Sequence, residues 1–216
     1  LSRKDNFVER FAAKLSEAGI VVEANLDTAT KPGNAFCICH RFHTMDQILL
    51  KMLKDSDNLY AEAMFYQIAA SSGSRKASAR QARAIIKRLV QKLGFNPDDY
   101  SFADGSGLSL YNYVTAELEV AFLRYAVKTG NILLHLKPSM PIAATDGTLA
   151  DRMRGTFTNG NVYAKTGTLT GVSTLSGYCT AANGHRLAFA IMNQGLKHTR
   201  NGRAFQDKVC AELCRP

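Results

Sequence analysis

The chain has 216 residues, of which 46% are apolar and 21% are charged. This balance is typical of a folded globular protein and excludes a disordered chain, and no apolar run reaches the roughly 18 residues needed to span a bilayer. The formal net charge of +9 favours polyanionic surroundings such as nucleic acid, anionic lipid or an acidic polymer. Because the basic residues are spread along helical segments rather than clustered with aromatic residues, we expect no nucleic-acid partner.

The first 40 residues predict one helix and two short strands. Residues 4–18 place apolar side chains at helical spacing, and Gly19 supplies a helix-ending glycine. Residues 20–24 and 35–39 are β-prone runs, and the turn-forming residues 28–34 separate them. The helix face that we expect to be buried consists of Phe7, Val8, Phe11, Leu15 and Ala18.

Three helices are predicted in the next segment. Thr44, followed three residues later by Gln47, has the capping-box pattern of a helix start. A second apolar-faced helix begins at Leu59, and after a loop at residues 71–74 a basic amphipathic helix spans residues 76–93. We expect the basic side of that helix to be solvated. The inward side chains of the first helix are Ile48, Leu49, Met52 and Leu53.

The middle of the chain predicts a glycine-rich loop between a strand and a helix. Residues 100–103 form a short β-prone run, and residues 104–109 form a loop in which glycine lets the backbone approach a ligand. A helix over residues 115–128 follows, and Gly130 ends it. Pro138 and Pro141 then predict an irregular loop that leads to Asp146-Gly147-Thr148-Leu149.

A β-hairpin is the strongest local signal in the last third of the chain. Two β-prone runs, residues 172–180 and 187–192, flank Asn183-Gly184, a pair that favours tight hairpin turns. Lys165-Thr166-Gly167 lies on a preceding run and is therefore predicted to lie on a strand. Together with a last helix at about residues 202–214, the pattern predicts an α+β class protein in which helices pack on an antiparallel sheet. We expect one domain over residues 1–216.

The five cysteines do not define a compartment, because an odd number leaves at least one unpaired within the chain. Cys210 and Cys214 have helical spacing and are expected to be half-buried thiols, with a bridge as the alternative. Cys37, Cys39, His40 and His43 are residue types that bind zinc, but strand alternation puts His40 on the face opposite to the cysteines. We therefore expect a buried strand there and no metal site.

Two short motifs carry the chemistry. Ser56-Asp57-Asn58 lies between two helices, and Lys165-Thr166-Gly167 offers an ammonium, hydroxyls and backbone N–H groups suited to a carboxylate. Taken alone, Ser56 and Asn58 are better explained as caps of the following helix, and the lysine tripeptide as plain surface. Ser-x-Asn and Lys-Thr-Gly elements in this order are part of the working set of penicillin-interacting enzymes.

The surrounding sequence resembles one family, the class C low-molecular-mass penicillin-binding proteins, which are D-alanyl-D-alanine carboxypeptidase/endopeptidases. The resemblance spans almost the whole chain and implies the penicillin-binding protein/β-lactamase-like transpeptidase fold. It also implies a periplasmic or otherwise extracytoplasmic enzyme of the bacterial envelope that acts on peptidoglycan stem peptides, binds β-lactams and needs no cofactor. The resembling runs are residues 52–62, 104–109 with Tyr111-Asn112, 146–149 with Arg152, and 164–169.

The resemblance implies roles for named residues. Ser56 would relay a proton to the leaving amine, with Lys165 or the lysine of the upstream element as its source, and Asn58 would hold the substrate amide. The Thr168 N–H would be one donor of the oxyanion hole. Thr166, Gly167 and Thr168 would bind the terminal carboxylate together with the lysine. Supporting loops would contain Asp104, Ser106, Asp146 and Arg152.

One family element is missing from these 216 residues, since no serine is followed by lysine at the third position. The resemblance places that Ser-x-x-Lys nucleophile element upstream, so that Leu1 looks like the start of a C-terminal portion that is inactive by itself. Two other functions stay open. A β-lactamase-like hydrolase shares both motifs, and a catalytically inactive wall-binding module would explain the missing nucleophile and the positive charge.

Overall fold

A computed structural model describes residues 3–22, 33–37, 39–73 and 76–215. The chain divides into two compact units, Leu1–Phe42 and His43–Pro216, so the prediction of one domain over residues 1–216 stays a prediction. The first unit contains helix α1, Arg3–Glu17. The helices of the second unit are α2 Met45–Lys54, α3 Asn58–Ala70, α4 Ala79–Lys92, α5 Ala116–Lys128, α6 Gly130–Ser139 and α7 Thr199–Cys214, with 3₁₀ turns at Pro97–Asp99 and Gly147–Leu149. Its strands are β1 Tyr163–Leu169, β2 Val172–Thr180 and β3 Arg186–Asn193.

The three strands form an antiparallel sheet in the order β1-β2-β3, which confirms the predicted α+β class. The predicted hairpin joins β2 to β3, and its turn is closed by a hydrogen bond from the Ala181 N–H to the His185 carbonyl of 2.9 Å. Gly184 in this turn has φ +82°, a conformation that glycine adopts readily. The register of β1 on β2 pairs Lys165 with Ser176, so the lysine lies on a strand as predicted.

Helices cover both faces of the sheet. On one face Leu175 of β2 packs in a buried cluster with Cys210 and Cys214 of α7. On the other face Tyr178 of the same strand packs with Leu123 of α5, and its hydroxyl donates to the Leu123 carbonyl over 2.8 Å. Residues 175 and 178 differ by an odd number, so strand alternation sends their side chains to opposite faces. The sheet is therefore the middle layer of three.

The cysteines of the last helix are core residues. Cys179 on β2 and Cys210 and Cys214 on α7 are all buried and unpaired. Burial raises the pKa of Cys179 and of Cys210 to about 12, so these groups are protonated thiols at neutral pH. The two cysteines of α7 are thus more deeply buried than the half-buried thiols expected from the sequence, and they form no bridge.

Two predictions in the second unit were wrong in part. Residues 130–139 form helix α6 rather than a helix stop followed by a proline loop, and Pro138 lies in the last turn of that helix. Proline has no N–H to continue the hydrogen bonding of a helix, and α6 ends one residue after Pro138. The predicted strand at residues 100–103 is reduced to one bridge between Ser101 and Tyr113.

The first unit differs more from the sequence predictions. Helix α1 and its terminal Gly19, at φ +76°, are confirmed, but Phe7 and Phe11 stack on each other in an exposed position. Residues 20–22, 35–37 and 39 form no strand, and Cys37 and Cys39 are exposed rather than buried. A β-prone run becomes a strand only when a partner strand takes its hydrogen bonds. The remainder of the predicted strands and most of the turn at residues 28–34 lie outside the described residues.

Gly177 in β2 provides a test of how tightly β1 and β2 approach. A Cβ at this position would lie 2.6 Å from the Ala164 Cα and would clash with the Tyr163 carbonyl. We expect Gly177→Ala to lower the free energy of unfolding by about 1–3 kcal/mol, as overpacking does. Gly130→Ala is the matched control, because a Cβ there meets no atom within 4 Å. Chemical denaturation measures the free energy of unfolding of both variants. Equal values for the two would contradict the close approach of β1 and β2.

Candidate active site

The centre of the site is a hydrogen bond between two motifs that are far apart in sequence. Lys165 Nζ donates to Ser56 Oγ over 2.7 Å, although 109 positions separate the two residues. The same ammonium donates to the Thr166 carbonyl, also over 2.7 Å. Burial lowers the pKa of Lys165, because the charged form loses solvation. This arrangement puts a hydroxyl and an easily deprotonated amine in direct contact.

Ser56 occupies a tight connection between α2 and α3. Its φ is +56°, a conformation that typically costs a residue other than glycine about 1–3 kcal/mol and is concentrated at functional sites. The cap of α3 is Asp57, whose Oδ1 accepts a hydrogen bond from the Tyr60 N–H of 3.1 Å. The alternative in which Ser56 and Asn58 serve as caps is therefore wrong.

Asn58 is the first residue of α3 and is exposed. Within the described part of the chain, no hydrogen bond is formed by its side chain. Because it follows the Asp57 cap directly, the start of α3 fixes its backbone close to Ser56. Its amide group can both donate and accept, so it is available to an incoming polar ligand.

The lysine strand β1 is an edge strand, since only β2 pairs with it in the sheet. The Ala164 N–H donates to the Pro141 carbonyl, which lies on the side away from β2. Strand alternation then directs the N–H groups of Thr166 and Thr168 to the same free edge. The side chain of Thr168 is exposed at this edge. A ligand lying along β1 can therefore meet backbone donors and hydroxyls together.

Two further contacts define the lysine motif. Thr166 Oγ1 donates to Thr148 Oγ1 over 2.9 Å, which brings the 3₁₀ turn Gly147–Leu149 beside the strand. Gly167 lies opposite Thr174 on β2, and a Cβ at position 167 would clash with the Thr174 hydroxyl. The glycine of Lys-Thr-Gly is thus required by packing within the sheet.

The loop at residues 104–109 is organised by carboxylates. Asp104 accepts hydrogen bonds from the Gly107 and Ser109 N–H groups over 2.8 and 2.7 Å. Glu62 of α3 accepts from the Ser106 N–H over 2.9 Å, which fixes the loop to the helix that begins at Asn58. Asp104 therefore shapes the loop, and Glu62 is a supporting residue that the sequence motifs did not identify.

Asp146 and Arg152 lie in one segment but contact different elements. Asp146 forms an ion pair of 2.5 Å with Lys54, the last residue of α2 and two positions before Ser56. Arg152 pairs instead with Asp207 of α7 over 2.6 Å and donates to the fully buried Gln206. The structure thus connects Asp146 to the Ser56 region, whereas Arg152 attaches residues 146–152 to α7. Lys54 was missed in the sequence, although its place two residues before the serine motif was a signal.

The described residues contain neither a metal-binding cluster nor a helix that could span a membrane. Among the described residues, no group of three or more His, Cys, Asp or Glu side chains is arranged to hold a metal ion. Cys37 instead donates a weak hydrogen bond to the carbonyl of Cys39 over 3.2 Å. In the same described ranges, every helix is too short or too polar to cross a bilayer.

Known proteins resemble this chain in both sequence and structure. The D-alanyl-D-alanine carboxypeptidase DacB of Haemophilus influenzae is 34% identical over 185 residues, which are 84% of this chain and 38% of that protein. The D-alanyl-D-alanine carboxypeptidase of Actinomadura sp. is 33% identical over 195 residues, which are 86% of this chain and 36% of that protein. The chain therefore spans less than half of the length of these relatives.

A solved structure agrees with the fold. Penicillin binding protein 4 (dacB) from Haemophilus influenzae, in complex with a novel β-lactam, matches with a TM-score of 0.80 and 29% identity. The match covers 97% of this chain and 51% of that one. It confirms the predicted penicillin-binding protein fold.

The family model described as the D-Ala-D-Ala carboxypeptidase 3 (S13) family matches residues 3–213. The resemblance drawn from the motifs is thereby confirmed, and the chain belongs to the D-Ala-D-Ala carboxypeptidase 3 (S13) family.

Proposed function

We propose that residues 1–216 are the C-terminal part of the catalytic domain of a serine-type D-Ala-D-Ala carboxypeptidase/endopeptidase. The substrates would be stem peptides of bacterial peptidoglycan, met outside the cytoplasm, and β-lactams would bind at the same site. The observation that carries the proposal is the 2.7 Å hydrogen bond between Lys165 and Ser56 in a chain of the S13 family. The attacking serine would come from a Ser-x-x-Lys element upstream of residue 1.

The proposed reaction is acyl transfer through an acyl-enzyme. The upstream serine attacks the carbonyl of the D-Ala-D-Ala amide, the terminal D-Ala leaves as an amine, and water then releases the acyl group. The leaving amine must gain a proton, and Ser56 can pass one from Lys165 because its hydroxyl touches the ammonium. The lowered pKa of Lys165 supports this role, since a less strongly held proton is transferred more easily.

The remaining proposed roles concern binding of the substrate. The Thr168 hydroxyl and the Lys165 charge would bind the terminal carboxylate, and Thr166, whose single hydroxyl proton goes to Thr148, would contribute its backbone N–H at the same edge. Gly167 keeps the strand close to β2. The outward direction derived for the Thr168 N–H supports its role as an oxyanion-hole donor, which is typically worth about 3–4 kcal/mol. The free amide of Asn58 would hold the substrate amide.

Four further residues are proposed as supports rather than as substrate contacts. Asp104 orders the loop at residues 104–109, and the backbone of Ser106 is tied to Glu62. Asp146 pairs with the helix end before Ser56, and Arg152 attaches its segment to α7. These contacts favour indirect roles, because the side chains of Asp104, Asp146 and Arg152 and the backbone N–H of Ser106 are already engaged within the protein.

Penicillin acylation tests the proposed origin of the nucleophile. We expect no covalent adduct on residues 1–216, since acylation needs an activated nucleophile and a complete oxyanion hole. A longer chain that carries the Ser-x-x-Lys element in cis should form a stable adduct, which intact-mass measurement detects. An adduct on the short chain at Ser56 would contradict the proposal. Rapid turnover without a lasting adduct on the longer chain would favour a β-lactamase-like hydrolase instead, and no reaction on either chain would favour an inactive wall-binding module.

The role of Lys165 is tested in the longer chain by Lys165→Ala. The change removes the proton source for Ser56, so the rate of penicillin acylation should fall by about 10²–10⁴-fold, the usual contribution of general acid–base catalysis. The matched control is Lys87→Ala, which removes a lysine of α4 that pairs with Asp98. Stopped-flow acylation should separate the two variants, and equal rates would remove Lys165 from the mechanism.

The lowered pKa of Lys165 also predicts a pH dependence of stability. The unfolded chain keeps the lysine proton up to the ordinary pKa of 10.5, whereas the folded chain releases it at lower pH. The folded state is therefore stabilised as the pH rises from the folded pKa towards 10.5. The free energy of unfolding of the wild type relative to Lys165→Met should accordingly increase between about pH 8 and about pH 10.

Lys51→Met is the control for this measurement. A hydrogen bond to Asp55 raises the pKa of Lys51 above 10.5, so this lysine stays protonated in both states below that pH. The stability of the wild type relative to Lys51→Met should therefore stay constant over the same range. Denaturant titrations at both pH values provide the comparison, and a constant difference for Lys165→Met would show that its amine is not desolvated.

A further inference from the structure

Thr148 lies beside the proposed carboxylate site and has an unused donor. Its hydroxyl oxygen accepts the proton of the Thr166 hydroxyl over 2.9 Å. A threonine hydroxyl can accept and donate at the same time. Within the described part of the chain, no acceptor takes the Thr148 proton, and the residue is exposed. A donor therefore faces solvent directly next to Thr166.

The turn that carries Thr148 is fixed on both sides. The preceding Gly147 packs so closely on the end of α2 that a Cβ would lie 2.8 Å from the Lys54 carbonyl, and the following Leu149 is fully buried. Asp146 holds the start of the turn through its ion pair with Lys54 and a 2.9 Å hydrogen bond from the Ile142 N–H. A hydroxyl on such a turn is preorganised, so little conformational freedom is lost when it binds.

The chemistry of this pair favours an anion. Donation from Thr166 polarises the Thr148 hydroxyl and strengthens its own hydrogen bond to the next acceptor. Hydrogen bonds to an ionised acceptor are about twice as strong as neutral ones. Lys165, the residue before Thr166, adds positive charge nearby. A carboxylate thus fits this position better than a neutral amide.

We infer that Thr148 is a further substrate-binding residue, which donates its hydroxyl proton directly to the terminal carboxylate of the peptide while it accepts from Thr166. This inference rests on the proposed function, because it concerns the same substrate. Residues of β1 and of the turn Gly147–Leu149 then act together to select peptides that end in a free carboxylate. The Thr148 hydroxyl thus acts in recognition of the carboxyl end of the substrate, and it takes no part in the proton relay at Ser56.

The experiment compares two substrates on each variant of the longer chain that includes the Ser-x-x-Lys element. The substrates are an N-acylated D-Ala-D-Ala peptide with a free carboxylate and the same peptide amidated at its C-terminus. Thr148→Val keeps the shape and removes the hydroxyl, so kcat/KM for the free peptide should fall about 10- to 100-fold, as for loss of a hydrogen bond to a charged group. The amidated peptide should change by less than about threefold, and Thr148→Ser should restore the preference, because it restores the donor.

A double-mutant cycle with Thr166→Val separates direct contact from indirect support. If Thr148 touches the carboxylate, Thr148→Val must still reduce the preference for the free peptide in the Thr166→Val background. No further reduction there, or an equal loss for both peptides, would overturn the inference. The ratio of two substrates on one sample is insensitive to partial loss of folded protein. If the wild type turns over neither peptide, the proposed function fails and the inference with it, whereas an active wild type with an unchanged Thr148→Val preference contradicts the inference alone.

Discussion

The hydrogen bond between Lys165 and Ser56 is the contact on which the site depends. A desolvated ammonium has to be compensated by acceptors, and here the Ser56 hydroxyl and the Thr166 carbonyl supply them. The contact requires that β1 and the α2–α3 connection meet to within hydrogen-bond distance. The positive φ of Ser56 and the ion pair between Lys54 and Asp146 both lie at this connection.

The rest of the second unit positions this contact through close backbone packing. Gly177 lets β2 approach Ala164, and Gly167 leaves space for the side chain of Thr174. The strand register that places Lys165 therefore depends on two positions at which glycine has no side chain. Helices on both faces then bury the sheet and leave the free edge of β1 for a ligand. The same logic holds at Gly105, where a Cβ would lie 2.5 Å from the Ala61 carbonyl and would push the glycine-rich loop away from α3. Glycine is therefore used where elements must touch.

Local signals predicted the fold well and the long-range contacts poorly. The hairpin at Asn183-Gly184 and the capping box at Thr44 depend on neighbouring residues, and both were readable in the sequence. Helix α6 was not predicted, because Gly130 and Pro138 are helix-breaking residue types, and here they lie at its first residue and directly before its last one. The apolar run at residues 20–22 indicated a strand, but strands form only with a partner that the run itself does not specify. In the site, family resemblance paired Ser56 with Lys165, whereas the contacts of Thr148 with Thr166 and of Lys54 with Asp146 follow only from the folded chain.

The geometry also bears on which hydroxyl would act as the nucleophile. Ser56 accepts a hydrogen bond from Lys165, so one lone pair of its oxygen is occupied by an ammonium proton. An attacking serine needs the reverse arrangement, in which a neutral base accepts the serine proton and the lone pair points at the carbonyl. A serine that accepts from a lysine of lowered pKa is instead arranged to relay a proton outwards to a leaving group. The proposed division of labour follows: the described chain would supply proton transfer and carboxylate recognition along β1, and the attacking hydroxyl would come from a separate segment.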